Sequence, residues 1–188
     1  MTRRTQKQLI GLVVTLLVAV ASPYLAKHLP ATAKPTAPPG TYHVSEFIDG
    51  DTIAVDMNGS NEKVRFIGVD TPETHDPRKA VQCFGVAAAD FTKKTIGTQP
   101  VRLEADPTNT NRDRYNRLLR YVYLPDNTLV NAEIIKQGYG FAYTGFPFTK
   151  MEEFKQDQKQ AQEQNLGLWA DCQPTANKYG GYTSNDAP

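Results

Sequence analysis

The sequence predicts an α+β domain built on a five-stranded Greek-key β-barrel of the OB type, with about three helices. Five short runs of β-branched or alternating residues are separated by turn signals such as Asp49-Gly50 and Asn58-Gly59. A segment with helical spacing lies between the third and fourth runs. Five short strands with a helix at that place are the elements of a small barrel of this type.

The strands are justified one by one by composition and by the turns between them. The first three form a meander, and Pro125-Asp126-Asn127 ends the last one in a turn. The predicted strands are Tyr42–Ile48, Thr52–Met57, Lys63–Val69, Val101–Ala105 and Leu118–Leu124.

Three segments have the apolar spacing of helices. Phe84–Ile96 carries apolar residues at helical intervals and is followed by Gly97. Asn131–Gln137 is short and is followed by Gly138. Thr149–Gln164 places apolar residues on one face and Gln, Lys and Glu on the other, which is typical of a surface helix.

Composition limits the class of protein. The 188 residues are 39% apolar and 22% charged, which is typical of one globular domain and excludes collagen-like, coiled-coil and wholly disordered chains. Two cysteines are too few for a cysteine-dense scaffold or a Cys-rich zinc module. Residues 41–188 hold 16 basic and 20 acidic side chains, a net charge of −4. A polyanion would therefore have to be held by local charge or by a metal ion.

The N-terminal region predicts export. Basic residues at positions 3, 4 and 7 precede the apolar run Leu9–Ala21. Residues 1–26 are therefore either a signal peptide, with small residues at Ala19-Val20-Ala21 for cleavage, or an uncleaved membrane anchor. Residues 27–40 are a Pro/Ala-rich linker, residues 41–172 the domain, and residues 173–188 a loose C-terminal tail. In either case we expect the domain to be extracytoplasmic, whether secreted, periplasmic or anchored.

Two aspartates indicate a site for a hard cation. Asp51 lies in the turn Asp49-Gly50-Asp51-Thr52, and Asp70 lies at a predicted strand exit. Ca²⁺ takes several oxygen ligands, including backbone carbonyls, in flexible geometry, and Thr71 can add a carbonyl. Taken alone, each motif is more typical of an ordinary turn or strand end; the combination is what points to chemistry.

Three further residues complete a set suited to phosphodiester hydrolysis. Glu73, three residues beyond Asp70, can hold a water molecule beside the metal. Arg65 lies on one predicted strand and Arg117 stands at the opening of another, and their forked donors match phosphate oxygens. A metal, a carboxylate and two guanidinium groups are what in-line displacement by water needs.

These segments together resemble the staphylococcal nuclease (thermonuclease) family. The resemblance extends from about Tyr42 to Trp169. It comprises Asp-Gly-Asp-Thr at 49–52, Arg65, Asp-Thr-Pro-Glu at 70–73, and Asp-Arg-Tyr-Asn-Arg at 113–117. It implies an OB-type barrel and a Ca²⁺-dependent nuclease acting on DNA and RNA, single-stranded or locally unpaired, with 3′-phosphorylated products.

The resemblance also implies a role for each matching residue. Asp51 and Asp70 would be calcium ligands through their side chains, and Thr71 through its carbonyl. Glu73 would orient or deprotonate the attacking water. Arg65 and Arg117 would bind the scissile phosphate. Arg114 and Tyr115 would contact a terminal phosphate, and Tyr143 would lie beside the nucleotide.

The chain departs from the family pattern in three ways. Arg114 replaces a common lysine and keeps the charge. Asn116 stands where the family often has glycine, and asparagine tolerates positive φ better than most residues. Residues 74–79 contain fewer lysines and an added acid. With the net charge of −4, this predicts weak long-range attraction of DNA.

The cysteines and the assembly state complete the predictions. In an exported domain, Cys83 and Cys172 most simply form one disulfide that fixes the C-terminal helix to the barrel; two free thiols and a metal role are the alternatives. We expect a monomer. The alternative to an enzyme is a non-catalytic OB module that binds oligonucleotides. Such a module gains nothing from carboxylates facing a polyanion, so the joint presence of acids and arginines favours the enzyme.

Overall fold

The computed structural model describes residues 40–74, 80–177 and 181–187. The predicted signal or anchor, most of the linker and residues 75–79 lie outside the described residues. None of the helices in the described part of the chain is long and apolar enough to cross a bilayer.

A six-stranded sheet forms the body of the domain, in the order β1-β6-β7-β4-β3-β2. Neighbouring strands are antiparallel, except that β4 and β7 are parallel. The strands of this sheet are β1 (Thr41–Tyr42), β2 (Val44–Asp49), β3 (Thr52–Met57), β4 (Ser60–Phe66), β6 (Val101–Glu104) and β7 (Leu118–Tyr123).

The sheet closes on itself through its first two strands. β1 and β2 are separated only by His43, yet they occupy the two opposite edges of the sheet. One continuous segment therefore pairs with β6 at one end and with β3 at the other, which removes the open edges. This confirms the predicted OB-type barrel. The predicted single strand Tyr42–Ile48 is in fact two strands, so the sheet has six rather than five.

The predicted strand Lys63–Val69 is also divided. β4 ends at Phe66, and β5 (Val69–Asp70) pairs with β8 (Phe141–Ala142) in a separate small sheet. Gly68 between them has a φ of 73°, a left-handed conformation that glycine adopts without steric cost. The prediction missed this turn, which redirects the chain so that Asp70 faces a new partner strand.

Four described helices surround the barrel, one more than predicted. They are α1 (Gly85–Ile96), α2 (Val130–Lys136), α3 (Met151–Glu163) and α4 (Leu168–Asp171). The first three agree with the predicted helices to within one or two residues at each end. The fourth is a single turn, too short to produce a periodic pattern.

Apolar side chains from strands and helices fill the main core. Ile53, Val64, Phe66, Tyr121 and Phe154 are almost fully buried and belong to one cluster. Burial of such side chains contributes roughly 1.5–3 kcal/mol each, so the core holds the strands that carry the acidic and basic residues discussed below.

Asp106 connects the barrel to the start of α3. Its carboxylate accepts hydrogen bonds from Thr108, from the Tyr121 hydroxyl at 2.6 Å, and from the Thr149 backbone N–H at 2.7 Å. Burial opposes ionisation, but these donors outweigh it and hold the pKa of Asp106 well below its ordinary range. The carboxylate therefore stays charged and fixes three segments together.

The C-terminal segment contains structure that its composition does not indicate. Strands β9 (Thr175–Ala176) and β10 (Tyr182–Thr183) pair as a hairpin within the stretch predicted to be a loose tail. Residues 184–187, which we call the C-terminal strap, then run antiparallel to residues 81–83. A disulfide joins Cys83 to Cys172 beside the strap, as predicted, with Cα atoms 5.7 Å apart.

Candidate active site

The turn between β2 and β3 places Asp51 next to Thr71. The Thr71 backbone N–H donates to Asp51 Oδ2 at 2.9 Å, and the Thr52 hydroxyl donates to Oδ1 at 2.9 Å. Helix α1 supports the turn, because the Thr92 hydroxyl donates to the Gly50 carbonyl at 2.6 Å. A Cβ at Gly50 would lie 2.9 Å from the Thr71 side chain, so this position requires glycine.

Arg65 joins the two predicted metal ligands. Its Nη1 lies 2.9 Å from Asp51 Oδ2, and its Nη2 lies 3.0 Å from Asp70 Oδ1. Nη1 also donates to the Val69 carbonyl at 2.6 Å. The two aspartates therefore contact the same guanidinium group and face one shared space.

This cluster is shielded from solvent. The side chains of Arg65 and Asp51 are only 15% and 8% exposed, whereas that of Asp70 is 45% exposed. Burial disfavours the charge on Arg65, but the neighbouring carboxylates, Asp51 first, raise its pKa above the ordinary value. The guanidinium is thus permanently charged and held in one orientation.

Asp49 is a fourth charged residue of the site that the sequence analysis quoted in a motif but did not assign. Burial, and then the charge of Asp51, raise the pKa of Asp49 to about 6. Its Oδ1 accepts hydrogen bonds from the Gly50 backbone and, at 3.0 Å, from the Thr74 hydroxyl. The signal was its place in the same tight turn as Asp51.

Glu73 reaches this cluster through Thr74. The Thr74 backbone N–H donates to Glu73 Oε1 at 3.0 Å, while its hydroxyl binds Asp49. The Glu73 backbone N–H donates to the Gln82 side chain at 2.8 Å. Glu73 is therefore linked to Asp49 through Thr74.

Arg117 belongs to a second cluster, in the loop before β7. Its Nε and Nη2 both lie 2.7 Å from Asp113 Oδ2, and Asp113 Oδ1 accepts from the Tyr115 and Arg117 backbones. Burial of Asp113 opposes its ionisation, but these hydrogen bonds and the charge of Arg117 outweigh that effect and lower the pKa of Asp113 below its ordinary value. Asn116 has a φ of 64°, as expected for its place in the tight turn.

The ring of Tyr115 contacts two of the arginines of this loop, Arg114 and Arg117. The guanidinium carbons of Arg114 and Arg117 lie 4.8 and 5.4 Å from the centre of its ring, and Arg114 Nη2 donates to its hydroxyl at 2.8 Å. Tyr115 is 64% exposed, so its outer surface is accessible. Asp113 was not among the site residues predicted from the sequence. Its spacing of four residues from Arg117, which allows an ion pair, was the available signal.

Tyr143 lies beside the first cluster. Its backbone N–H donates to the Gly68 carbonyl at 2.9 Å, directly after β8, which pairs with the Asp70 strand. Tyr143 is 37% exposed. The structure thus places the predicted residues in two groups: Asp51, Arg65, Asp70, Thr71, Glu73 and Tyr143 around β5, and Arg114, Tyr115 and Arg117 in the loop before β7.

The parallel pairing of β4 and β7 relates the two groups. Arg65 is the register partner of Leu119, so Arg117 lies two residues before the Arg65 position on the neighbouring strand. Side chains two residues apart on a strand point to the same face. Arg117 itself lies in the loop directly before β7, so the pairing brings the segments that carry the two arginines next to each other.

The first cluster contains oxygen atoms that could hold a divalent cation. Asp49, Asp51, Asp70 and Glu73 carry more negative charge than Arg65 can balance, which a divalent cation would offset. Thr71 Oγ1 is buried and has no hydrogen-bond partner among the described residues. In the described ranges no three His, Cys, Asp or Glu side chains form a ready cluster, so backbone and hydroxyl oxygens would have to contribute. Ca²⁺ accepts such mixed oxygen ligands.

A barrel that holds clustered carboxylates and two oriented arginines has the groups of an enzyme that cleaves phosphodiesters. A family model described as "Staphylococcal nuclease homologue" matches residues 63–171. The chain therefore belongs to the staphylococcal nuclease family.

Individual relatives agree with this assignment. The thermonuclease of Staphylococcus intermedius is 45% identical over 130 residues, which cover 69% of this chain and 76% of the relative. The thermonuclease of Staphylococcus hyicus is 44% identical, with the same coverage. Endonuclease YncB of Bacillus subtilis is 39% identical over 65% of this chain and 58% of the relative. The protein is accordingly a nuclease, a phosphodiester hydrolase, rather than a non-catalytic binding module.

Proposed function

We propose that the protein is an exported, Ca²⁺-dependent nuclease that hydrolyses DNA and RNA and leaves 3′-phosphorylated products. The observation that carries the proposal is the contact of Asp51 and Asp70 with one guanidinium, because it gathers carboxylates and a phosphate-binding group in one space. Asp51, Asp70 and the Thr71 carbonyl would hold the ion. Bound Ca²⁺ would supply positive charge that offsets the carboxylates and polarises the phosphodiester.

Arg65 is suited to bind the scissile phosphate. Among the described residues, Nη1 of Arg65 donates to the Val69 and Phe66 carbonyls and Nη2 donates to Asp70, which engages three of its five N–H donors, while Asp51 forms an ion pair with Nη1. The remaining donors can bind non-bridging phosphate oxygens. Because the aspartates already orient the guanidinium, little reorganisation is needed as negative charge develops in the transition state.

Glu73 accepts the proton of the attacking water. Oxygen of that water forms a bond to phosphorus, and the bond from phosphorus to the 5′-oxygen breaks. Arg117 stabilises the departing 5′-oxygen, which takes a proton from solvent water, and Glu73 then releases the proton it accepted to solvent. The products are a 3′-phosphate and a 5′-hydroxyl.

The second cluster and Tyr143 bind the rest of the substrate. Arg114 beside exposed Tyr115 offers a charge and an aromatic face for a terminal phosphate and its nucleotide. Tyr143 presents a ring next to the Asp70 strand, where a base can stack. Unpaired bases expose these faces, so single-stranded or locally open nucleic acid is the favoured substrate.

The test is digestion of denatured DNA and of RNA by the full chain, with Ca²⁺, with excess chelator, and after Ca²⁺ is restored. We expect acid-soluble products with 3′-phosphate ends only when Ca²⁺ is present. Digestion that continues in chelator would refute the metal requirement. Products with 5′-phosphate ends would refute the assigned leaving group.

A pair of variants locates the metal requirement. Asp70→Asn should lower activity about 100-fold or more, because one ligand charge is lost at the site. Asp56→Asn is the matched control: Asp56 is an exposed aspartate that accepts the Gly59 backbone N–H at 2.7 Å. The control should retain activity within about twofold. Equal activity of the two variants would show that Asp70 is not a ligand.

Export is a separate part of the proposal and rests on residues 1–26. Fractionation of expressing cells, with N-terminal sequencing, distinguishes the two open alternatives. A chain that begins near residue 22 outside the membrane indicates a cleaved signal peptide. An intact chain in the membrane fraction indicates an anchor, and an intact chain in the cytosol would refute export. We also propose a monomer, which sedimentation of the purified chain tests.

A further inference from the structure

Gln82 holds the backbone of Glu73 on both sides. Its side-chain Oε1 accepts the Glu73 N–H at 2.8 Å, and its own backbone N–H donates to the Glu73 carbonyl at 2.9 Å. One residue thus fixes both peptide groups that flank the Glu73 side chain. These peptide groups fix the direction of the Cα–Cβ bond of Glu73, and the Thr74 backbone N–H then holds the carboxylate by donating to Oε1 at 3.0 Å.

The C-terminal strap holds Gln82 in turn. Gln82 forms an antiparallel bridge with Asp186, and its Nε2 donates to the Ser184 carbonyl at 3.3 Å. On either side of this pair, Ala187 N–H donates to the Val81 carbonyl at 2.8 Å and Cys83 N–H donates to the Asn185 carbonyl at 2.7 Å. The amide of Gln82 therefore lies between Glu73 and the strap, with its oxygen bound to one and its nitrogen to the other.

The disulfide also restrains the backbone next to Gln82. Cys83 follows Gln82 directly and is bonded to Cys172. Asn185 of the strap donates to the Cys172 carbonyl at 3.0 Å, and the Ser184 hydroxyl donates to the Cys83 carbonyl at 2.8 Å. The family model matches residues 63–171 only, so the strap lies beyond the matched region.

We propose that Gln82, held by the C-terminal strap, is a positioning residue that orients Glu73 toward the attacking water. The inference rests on the proposed function, in which Glu73 accepts the proton of that water. The strap would then be part of the catalytic apparatus of this chain, although it lies outside the family domain. A displacement of about 1 Å in such a group can cost on the order of 100-fold in rate.

The test is the variant Gln82→Met, which keeps the size of the side chain and removes both polar groups. We expect kcat to fall about tenfold, with KM for denatured DNA changed less than about twofold. Gln158→Met is the matched control, since Gln158 is also half-buried and its Oε1 accepts a backbone N–H, that of Ala142, at 2.9 Å. It should leave kcat within about twofold. An equal loss of kcat in both variants would overturn the inference.

A double-mutant cycle with Glu73→Gln separates positioning from a general structural effect. If Gln82 acts through Glu73, Gln82→Met should not lower kcat further once Glu73 is replaced. A further tenfold loss in that background would show that Gln82 acts elsewhere. Full activity of Glu73→Gln would instead refute the proposed function, whatever Gln82 does, so the two failures are distinct.

Removal of the strap tests whether it is needed to hold Gln82 against Glu73. A stop codon after Thr183 deletes the strap and retains the β9–β10 hairpin, Cys172 and Gln82. We expect the same fall in kcat as for Gln82→Met, and no further fall when the two changes are combined. Circular dichroism and melting establish that the truncated chain is folded. A folded truncated enzyme with unchanged kcat would overturn the role of the strap.

Discussion

The two arginines of the site are held in contrasting ways. Arg65 leaves a strand of the barrel and is held by two carboxylates from different segments, with only 15% of its side chain exposed. Arg117 lies in a loop and is held by one carboxylate, Asp113, four residues earlier in the same loop, with 25% of its side chain exposed. The orientation of Arg65 therefore depends on the whole fold, whereas the orientation of Arg117 depends on a local turn.

Replacement of Arg65 should have the largest effect. Arg65→Lys removes the forked donors that contact Asp51, Asp70 and the proposed phosphate at once, and an ammonium group cannot replace them. We expect kcat on denatured DNA to fall about 1,000-fold. Steady-state kinetics measures this, with melting to confirm that the variant is folded. A folded variant with near wild-type kcat would show that Arg65 is misassigned.

Replacement of Arg117 should have a smaller but still severe effect. Arg117→Lys keeps a charge in a more exposed place, so we expect kcat to fall about 100-fold. Arg120→Lys is a suitable comparison, because Arg120 on β7 contacts Asn111 and Leu119 rather than an acidic residue. Its kcat should stay within about twofold. A fall in kcat for Arg120→Lys as large as that for Arg117→Lys would show that the effect is not specific to Arg117.

Loss of the local anchor should weaken only the loop. Asp113→Asn leaves Arg117 without its carboxylate, and we expect kcat/KM to fall about tenfold while the melting temperature changes little. Asp126→Asn is the matched control, since both aspartates accept a backbone N–H two residues later, from Tyr115 and from Thr128. Unchanged kcat/KM in Asp113→Asn would show that the loop orients Arg117 without it.

Salt dependence should show the smallest effect. Because Arg65 and Arg117 are already paired with carboxylates, and because residues 41–188 carry a net charge of −4, few counterions should be released on binding. We expect a shallow slope when the logarithm of the affinity for single-stranded DNA is plotted against that of the salt concentration. A steep slope, typical of many phosphate contacts, would contradict this.

Local patterns predicted most of the fold. The strand Thr52–Met57 agrees residue for residue, and helix α1 begins one residue later than predicted because Phe84 is left-handed, with a φ of 69°. The failures have two causes. The division at Gly68 and the separation of β1 from β2 are set by pairing with distant segments, which local composition does not record. The hairpin β9–β10 is a local pairing, but its strands have only two residues each, too few to show an alternating pattern.

The candidate site was predictable where the motif itself carries the chemistry. Asp51 and Asp70 face one shared space, as their positions at a turn and a strand exit suggested. The partners of the arginines were not predictable in the same way. That Arg65 contacts both aspartates, and that Gln82 lies between Glu73 and Ser184, depend on contacts across the folded chain.

The most direct test of the account is calorimetric titration of the full chain with Ca²⁺, comparing wild type with Asp70→Asn and Asp56→Asn. The account predicts that wild type and Asp56→Asn bind one ion with similar affinity, and that Asp70→Asn binds it at least about tenfold more weakly. Binding by Asp70→Asn with unchanged affinity, or no binding by the wild type, would contradict the proposal that the space between the aspartates holds a metal ion.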